Sequence, residues 1–429
     1  MPTINLAEIK IAYFHLAFLY SGGGEKLALK EIMLLRKLGY SVDCYTPLLD
    51  TSICFPDLIK KINIKEIIPG ITKLFHRKPE LGVMLVCLLF PFISFKYRKY
   101  DLVIGANQPG PIFGFILKSL FNIPYLIYIA QPTRILYKRP IDNELGIQIK
   151  HKMRVLPHIV NILRPVFYWI DLKSILNANI FLTNGVYMQG VLSQIYGKIP
   201  LVCSPGASLC PKQKRNNKKS IMFQYRSLTI SQPFLFMSNR HFPHKKFEYA
   251  LEVLDSMKEK FPLLISGEPT EYTNELKKLV TYYKLEKFVY FLGYVSEKEL
   301  KRLYQHCAVY LYTSPEEDFG MGIIEAMAHS KPVIAWDNAG PAKTITHLHD
   351  GFLAKLGDRN EMKKYIEACL INSDTIRQIS KNAAKTIEEK YSWHKHLQIL
   401  HTHIQEMLKH KLVNIQENKF TISYENISE

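Results

Sequence analysis

The chain has 429 residues, 47% of them hydrophobic, a globular composition long enough for about two domains rather than one core. Its formal charge of +18 calls for an anionic partner: nucleic acid, a membrane surface or a phosphorylated substrate. The charge is uneven, since residues 1–210 carry 24 Lys+Arg against 12 Asp+Glu, and no basic–aromatic interleaving or module for specific nucleic-acid binding is visible.

In chain order, Ile9 to Leu16 is an apolar run of strand length, followed by the turn Ser21-Gly22-Gly23-Gly24 and a helical pattern from Glu25 to Leu38 that Gly39 stops. Ser41 to Thr46 reads as the next strand, so the chain opens with a βαβ unit. The run Leu81 to Phe95 is about 15 residues long, contains Pro91 and is flanked by His76-Arg77-Lys78 and Lys96 to Lys99. It suits either a segment lying in a membrane interface, with cations meeting anionic lipid, or a buried core helix. No stretch has the roughly 18 uninterrupted apolar residues that span a bilayer.

Further strand-like runs at Asp101 to Ala106, Ile123 to Ala130, Ile180 to Thr183 and Leu201 to Ser204 alternate with helical segments, which implies a parallel sheet covered on both faces. Pro211 to Ser220 is polar and without periodicity, an exposed loop near a domain boundary. The rhythm then restarts with strands at Pro233 to Ser238, Leu263 to Ser266, Val289 to Gly293, Val309 to Tyr312 and Pro332 to Trp336, and helices at Asn274 to Leu285 and Ser296 to Gln305. The predicted divisions are 1–215 and 216–390, two Rossmann-like domains, 391–412, a last helix, and 413–429, a poorly ordered tail. The seven cysteines are scattered without metal-ligand spacing and read as reduced thiols of a cytoplasmic protein. Met1 to Lys10 lacks the apolar run of a secretory signal.

Three stretches carry chemistry, each at a strand-to-helix junction. Gly22 to Gly24 offers backbone N–H groups to a phosphate or a sugar ring, or else is a permissive turn. Arg240 and Lys245 follow a strand, where Arg clamps a diphosphate bidentately and Lys adds a point charge; a plain basic surface loop is the alternative. Ser314 to Ala335 holds Glu317 and Glu325 on either side of a Phe-Gly-Met-Gly turn. A helix starting near Ile323 would aim its positive end at the turn, with Glu317 in the loop and Glu325 in the first helical turn. Phosphate for the helix end and hydroxyls for the acids describe a sugar nucleotide. No G-x-G-x-x-G fingerprint is present, so a nicotinamide enzyme is not expected.

The segment Glu317-Asp-Phe-Gly-Met-Gly-Ile-Ile-Glu325 resembles the E-x7-E signature of retaining GT-B glycosyltransferases of the family 4 type. Phe236 to Arg240 with Lys245 resembles their diphosphate clamp, Leu264 to Glu268 their second strand end, Phe291 to Val295 their base-binding loop, and Ala339-Gly340-Pro341 the segment after the signature helix. The match is specific from about Pro233 to Ala354 and thinner elsewhere. Ile11 to His15 followed by Ser21 to Glu25 is similar to the start of mannosyltransferases that extend lipid-linked oligosaccharides.

The resemblance implies two doubly wound α/β domains facing an interdomain cleft. It implies that Glu325 bonds the nucleotide ribose and that Glu317, with N–H groups around Phe319, Gly320 and Met321, holds the donor sugar. Arg240 and Lys245 would grip the diphosphate, with Gly22, Gly23 and Gly24 closing from the other domain, and Gly267 and Gly293 are further donor-binding residues. His15, Gln131, Arg134 and Lys138 are the implied acceptor contacts. No metal and no cofactor is implied, GDP-mannose is the first donor and a UDP-sugar the second, and the acceptor is a glycan or a lipid-linked one at an anionic membrane surface. Two departures stand out: Ala130 where the family often has His, and Lys343 near a position usually acidic. They favour the alternative, a membrane-associated binding protein of this fold with impaired chemistry.

Overall fold

The computed structural model describes residues 6–134, 136–139, 162–210, 222–231, 233–371 and 374–412. They form two compact units, the first from residues before 205 and from His394 onward, the second from Pro205–Trp393. The polar stretch 211–220 and the tail 413–429 lie outside the described residues.

The first unit begins with β1 (Lys10–His15), α1 (Gly23–Lys37), β2 (Ser41–Thr46) and β3 (Ile64–Glu66). It continues through α2 (Pro79–Ile93), β4 (Leu102–Ala106), α3 (Gly110–Phe121) and β5 (Tyr125–Ile129). Then come α4 (Arg164–Leu176), β6 (Ile180–Thr183), α5 (Val186–Tyr196) and β7 (Leu201–Val202). The sheet runs β3-β2-β1-β4-β5-β6-β7, all parallel. Strand order reverses between β1 and β4, which opens a crevice at their carboxyl ends. Along β1 alternate side chains serve opposite faces: Ala12 and Phe14 join a core with Phe90, Phe113 and Tyr125, while Tyr13 reaches α1 on the other side.

In the second unit β8 (Met222–Tyr225) and β9 (Leu228–Ser231) form an antiparallel hairpin that the sequence reading missed. β10 (Leu235–Ser238), α6 (Phe247–Ser256), β11 (Leu263–Ser266), α7 (Tyr272–Tyr282), β12 (Val289–Gly293) and α8 (Glu297–His306) follow. Next are β13 (Val309–Tyr312), α9 (Met321–Ala328), β14 (Val333–Trp336), β15 (Phe352–Ala354), α10 (Arg359–Leu370) and α11 (Asp374–Lys390). The parallel sheet has the order β12-β11-β10-β13-β14-β15, so its reversal lies between β10 and β13. Leu235 and Met237 pack with α6, α7 and α10 on one face, and Phe236 with α8, α9 and α11 on the other. Each face is therefore a separate hydrophobic core. Both units are doubly wound, as the alternation of runs predicts.

The apolar run expected at Leu81 to Phe95 is longer than its composition shows. Its helix starts at Pro79, passes through Pro91 and continues as a 3-10 turn, Ser94–Tyr97. Pro91 forfeits one backbone bond without ending the helix, because Phe90 before it is fully buried and stacks on Phe113 at 4.2 Å. Pro79–Tyr97, 19 residues, is long and apolar enough to cross a membrane by length and composition, and 28% of it is buried.

The last helix, α12 (Trp393–Leu412), is joined to the first unit by a buried polar chain. His396 Nε2 lies 2.9 Å from Glu31 Oε1 on α1, Tyr13 donates its hydroxyl to Glu31 Oε2 at 2.5 Å, and His396 Nδ1 is 3.0 Å from the Ser204 carbonyl. Burial works against a charge on His396, but the Cys203 sulfur and the Glu31 carboxylate outweigh it and hold the imidazole pKa well above its ordinary value. Glu31 and His396 are each 1% exposed, so removing one leaves the other buried without its partner. Glu31→Ala should cost about 3–5 kcal/mol of unfolding free energy, read from urea midpoints. Because the folded pKa of His396 is raised, its contribution should be complete below the ordinary pKa of about 6.5 and fade as pH climbs through the folded value. In Glu31→Ala this alkaline decline should be smaller, with the Cys203 contribution left.

Candidate active site

The loops at the carboxyl ends of four of the second unit's six parallel strands, β10 to β13, hold the candidate site residues. The loop after β10 carries Arg240 and, in a 3-10 turn Pro243–Lys245, the lysine; the loop after β13 carries Glu317. Lys245 Nζ donates to Glu317 Oε2 at 2.6 Å, a pair that bridges the two strands at which the order reverses. In open α/β sheets that crevice is where ligands bind. Burial alone would raise the Glu317 carboxyl; Lys245, the Tyr312 hydroxyl and His244 overcome it and hold the pKa at about 2. Glu317 is therefore ionised at neutral pH.

Arg240 Nε lies 3.4 Å from Glu268 Oε2, in the loop after β11, and its guanidinium covers the Phe242 ring at 4.5 Å. Its carboxylate is thus Glu268, which the sequence reading placed only as a strand end. His241 between them bonds Thr273 through Nδ1 at 3.0 Å and fixes the loop from beneath. Gly267 has φ +142, a conformation that L side chains rarely adopt, and a Cβ there would run into the Asn239 carbonyl. Its N–H bonds the Gly293 carbonyl at 2.9 Å, so Gly267 and Gly293 join one backbone rim.

Two expectations about the signature helix need correction. It starts at Met321, not near Ile323, because Gly320 at φ +88 supplies the left-handed entry that a side chain would resist. Glu325 is consequently in the second turn rather than the first, too far along for the dipole effect of a first-turn acid. Its Oε2 accepts the Tyr304 hydroxyl at 3.0 Å, and its carbonyl faces His329 Nδ1 at 2.8 Å. Phe319 is buried and meets the Tyr391 ring at 5.8 Å, leaving backbone as what this turn can offer to a ligand. Lys343 sits on the short helix Pro341–Thr344, whose cap Gly340 donates its N–H to the Glu317 carbonyl at 2.8 Å.

In the first unit, Gly22 caps α1, which begins at Gly23 inside the glycine run, two residues before the expected start. Glu25 lies 3.9 Å from His15 Nε2, and His15 is 2% exposed with neither ring nitrogen hydrogen-bonded. Ala130 N–H is held by Asn107 Oδ1 at 2.9 Å, and its carbonyl accepts from Asn184 Nδ2 at 3.2 Å. His15, Asn107, Ala130 and Asn184 thus end four neighbouring strands in one row. Gln131 and Arg134 beyond them are part-buried and Lys138 is exposed.

Sequence reasoning missed the group that anchors this last loop. Asp171 on α4, 2% exposed, accepts from Thr133 Oγ1 and Gln108 Nε2 at 2.9 Å each, from the Tyr196 hydroxyl at 2.9 Å and from the Tyr137 hydroxyl at 3.0 Å. Burial raises its pKa, and those hydrogen bonds counter the rise. The signal was one acid in an otherwise apolar helical pattern. Among the described residues no three His, Cys, Asp or Glu side chains gather into a metal-binding group.

Residues 221–386 match the family described as Glycosyl transferases group 1. The chain is 36% identical over 138 residues to "Alpha-1,3/1,6-mannosyltransferase ALG2" of Mus musculus, covering 28% of this chain and 33% of that protein. With the ALG2 protein of Homo sapiens it is 29% identical over 366 residues, 78% of this chain and 81% of the other. Among solved structures, that of Anabaena Alr3699/HepE in complex with UDP and glucose superposes with a TM-score of 0.69 at 19% identity, covering 93% of this chain and all of that one. The sucrose-phosphate synthase of Thermosynechococcus elongatus gives a TM-score of 0.70 at 18% identity over 94% of this chain. The fold is therefore GT-B, and the second unit carries a glycosyltransferase domain.

Since the Glu317 pKa is depressed from an ordinary 4.5 to about 2, its stabilising contribution is present above pH 4.5 and lost as pH falls towards 2. Lys245→Met removes the counter-charge, so the carboxyl should titrate at least one unit higher and the acid-side loss of stability should begin at correspondingly higher pH. Denaturant titrations between pH 2 and 6 check this; identical acid profiles for both proteins would contradict it.

Proposed function

We propose that this chain is a retaining glycosyltransferase of the family 4 type that moves a hexose, mannose first, from a nucleoside-diphosphate sugar to a glycan or lipid-linked acceptor. The observation that carries the reading is the Lys245–Glu317 pair across the strand-order reversal, beside Arg240 and the N-terminus of α9. Cations and a helix end suit a diphosphate, and an ionised carboxylate suits sugar hydroxyls. The ALG2 relatives are named as mannosyltransferases, which favours GDP-mannose; the Anabaena structure holds UDP and glucose, which makes a UDP-sugar the second donor.

In this reading Arg240 and Lys245 hold the diphosphate, Glu325 the ribose, and Glu317 with the backbone at Phe319, Gly320 and Met321 the sugar. Gly22, Gly23 and Gly24 are further donor-binding residues, and His15, Gln131, Arg134 and Lys138 serve the acceptor. The bond from the anomeric carbon to the phosphate oxygen breaks as the acceptor oxygen attacks from the same face. The acceptor's proton passes to the departing phosphate. Charge appears on the leaving group, so the cations do most of the catalysis.

We also propose that the first unit rests on an anionic membrane surface. Leu88, Phe92 and Phe95 on the α2 segment are 69%, 76% and 56% exposed, and Val166 and Trp169 on α4 are 52% and 55% exposed. α3 packs against both helices, so these side chains share one helical layer. Lys96, Arg98 and Lys99 edge it, and residues 1–210 carry a net +12. Apolar side chains entering the headgroup boundary with cations around them are how a protein lies on anionic lipid.

A panel of GDP-mannose, UDP-glucose and UDP-N-acetylglucosamine should show nucleotide release with at least one donor, and Glu317→Gln should slow it on the order of a hundredfold. No turnover, and no thermal stabilisation by any donor, would overturn the reading. Stabilisation without turnover would point to the impaired binding protein that Ala130 and Lys343 favour. Liposome sedimentation should favour vesicles containing anionic lipid and weaken with Phe92→Asp. Equal binding to neutral vesicles would remove the electrostatic part.

A further inference from the structure

The β8–β9 hairpin pairs Tyr225 with Leu228, leaving a two-residue turn in which Arg226 takes the left-handed φ of +50. This backbone aims the guanidinium at the loop after β12. Arg226 Nη1 donates to the Leu292 carbonyl at 3.3 Å and Nη2 to the Tyr294 carbonyl at 3.1 Å, so the two bonds bracket Gly293. Nε and Nη2 also reach Glu299 Oε1 and Oε2 at 3.0 and 3.3 Å. Glu299 is itself fixed: it completes the capping box of α8 with Ser296 and accepts the Tyr225 hydroxyl at 3.3 Å. Desolvation would raise its carboxyl, but Arg226 and Ser296 draw it down to about 2.

A surface ion pair adds little stability, and the Arg226 side chain is 51% exposed. Its contribution is shape. Gly293 lies at φ +66 with open space where a Cβ would stand, and Tyr294 beside it is 38% exposed. The Gly293 carbonyl continues the rim to Gly267, Glu268 and Arg240. A path of hydrogen bonds therefore runs from the hairpin turn through the loop after β12 to Gly267, and the Glu268–Arg240 ion pair extends it to the group that is to hold the diphosphate.

We propose that Arg226 is a positioning residue for the nucleoside end of the donor: it locks residues 292–294 so that the Gly293–Tyr294 edge forms a rigid platform for the base. The inference rests on the donor-site reading above. Arg226, itself fixed by Glu299, holds two carbonyls of the platform and keeps its geometry before the ligand arrives, and preorganisation of this kind raises affinity without adding a contact. Lysine cannot replace it, because a single ammonium does not bridge two carbonyls and a carboxylate in a fixed plane.

Calorimetric titration with GDP, UDP and inorganic pyrophosphate tests this on the full chain and on Arg226→Ala, Arg226→Lys, Glu299→Gln and Glu325→Gln. Arg226→Ala and Arg226→Lys should each bind the preferred nucleoside diphosphate about tenfold more weakly and pyrophosphate as the native chain does. Glu299→Gln, which frees one anchor and keeps both carbonyl bonds, should show a smaller loss of the same kind and stands in if Arg226→Ala fails to fold. Nucleotide binding unchanged in both Arg226 variants while Glu325→Gln weakens it would overturn the proposal and leave the donor site standing. Equal weakening for pyrophosphate would reduce Arg226 to general support of the fold. If the native chain binds neither nucleotide, the donor-site reading falls and the role of Arg226 with it.

Discussion

A part-buried carboxylate needs a cation, and in the second unit that need ties together the two loops at which the sheet changes direction. Glu317 and Lys245 are 72 residues apart in sequence and 2.6 Å apart in space. Neither loop could hold its charge at that depth alone. The backbone around them is fixed to match. Thr313 Oγ1 donates to the Lys245 carbonyl, Ser314 Oγ to the His244 carbonyl, and the buried Trp336 indole to the Thr313 carbonyl. The pair is thus set by loop backbone that neighbouring side chains hold in place.

The first unit solves a related problem with neutral donors. Hydroxyls and an amide from α4's neighbours donate to Asp171, and through Thr133 and Tyr137 it fixes the loop that carries Arg134. Hydrogen bonds of this kind are directional, so they set loop shape where a salt bridge would set mainly distance. His15, two strands away, remains without a hydrogen bond on either nitrogen.

Most of the architecture was legible in the chain because parallel strands are buried on both faces and appear as short apolar runs: Leu263–Ser266, Val289–Gly293 and Val309–Tyr312 begin and end where the runs do. The exceptions share a cause. The β8–β9 hairpin alternates polar and apolar residues over only four positions per strand, and Phe352–Ala354 is three residues long; both are too short for periodicity to stand out. At the site, residue types could be read but pairings could not. Arg240 meets Glu268, and Glu325 is placed by a left-handed glycine five positions earlier whose conformation sequence does not reveal. Long-range partners such as Asp171 with Tyr137 or Arg226 with Glu299 depend on which loops the topology brings side by side.

The buried contact between Glu31 and His396 also bears on the order in which the protein is made. The first unit draws its last helix from beyond residue 393, whereas the second closes its cores within Pro205–Trp393. A ribosome therefore releases a complete second unit before the first has all its parts, and until α12 emerges, Glu31 and Tyr13 must wait in an unfinished interior. Domains usually mature in the order of synthesis; here the half that is translated first is the half that finishes last.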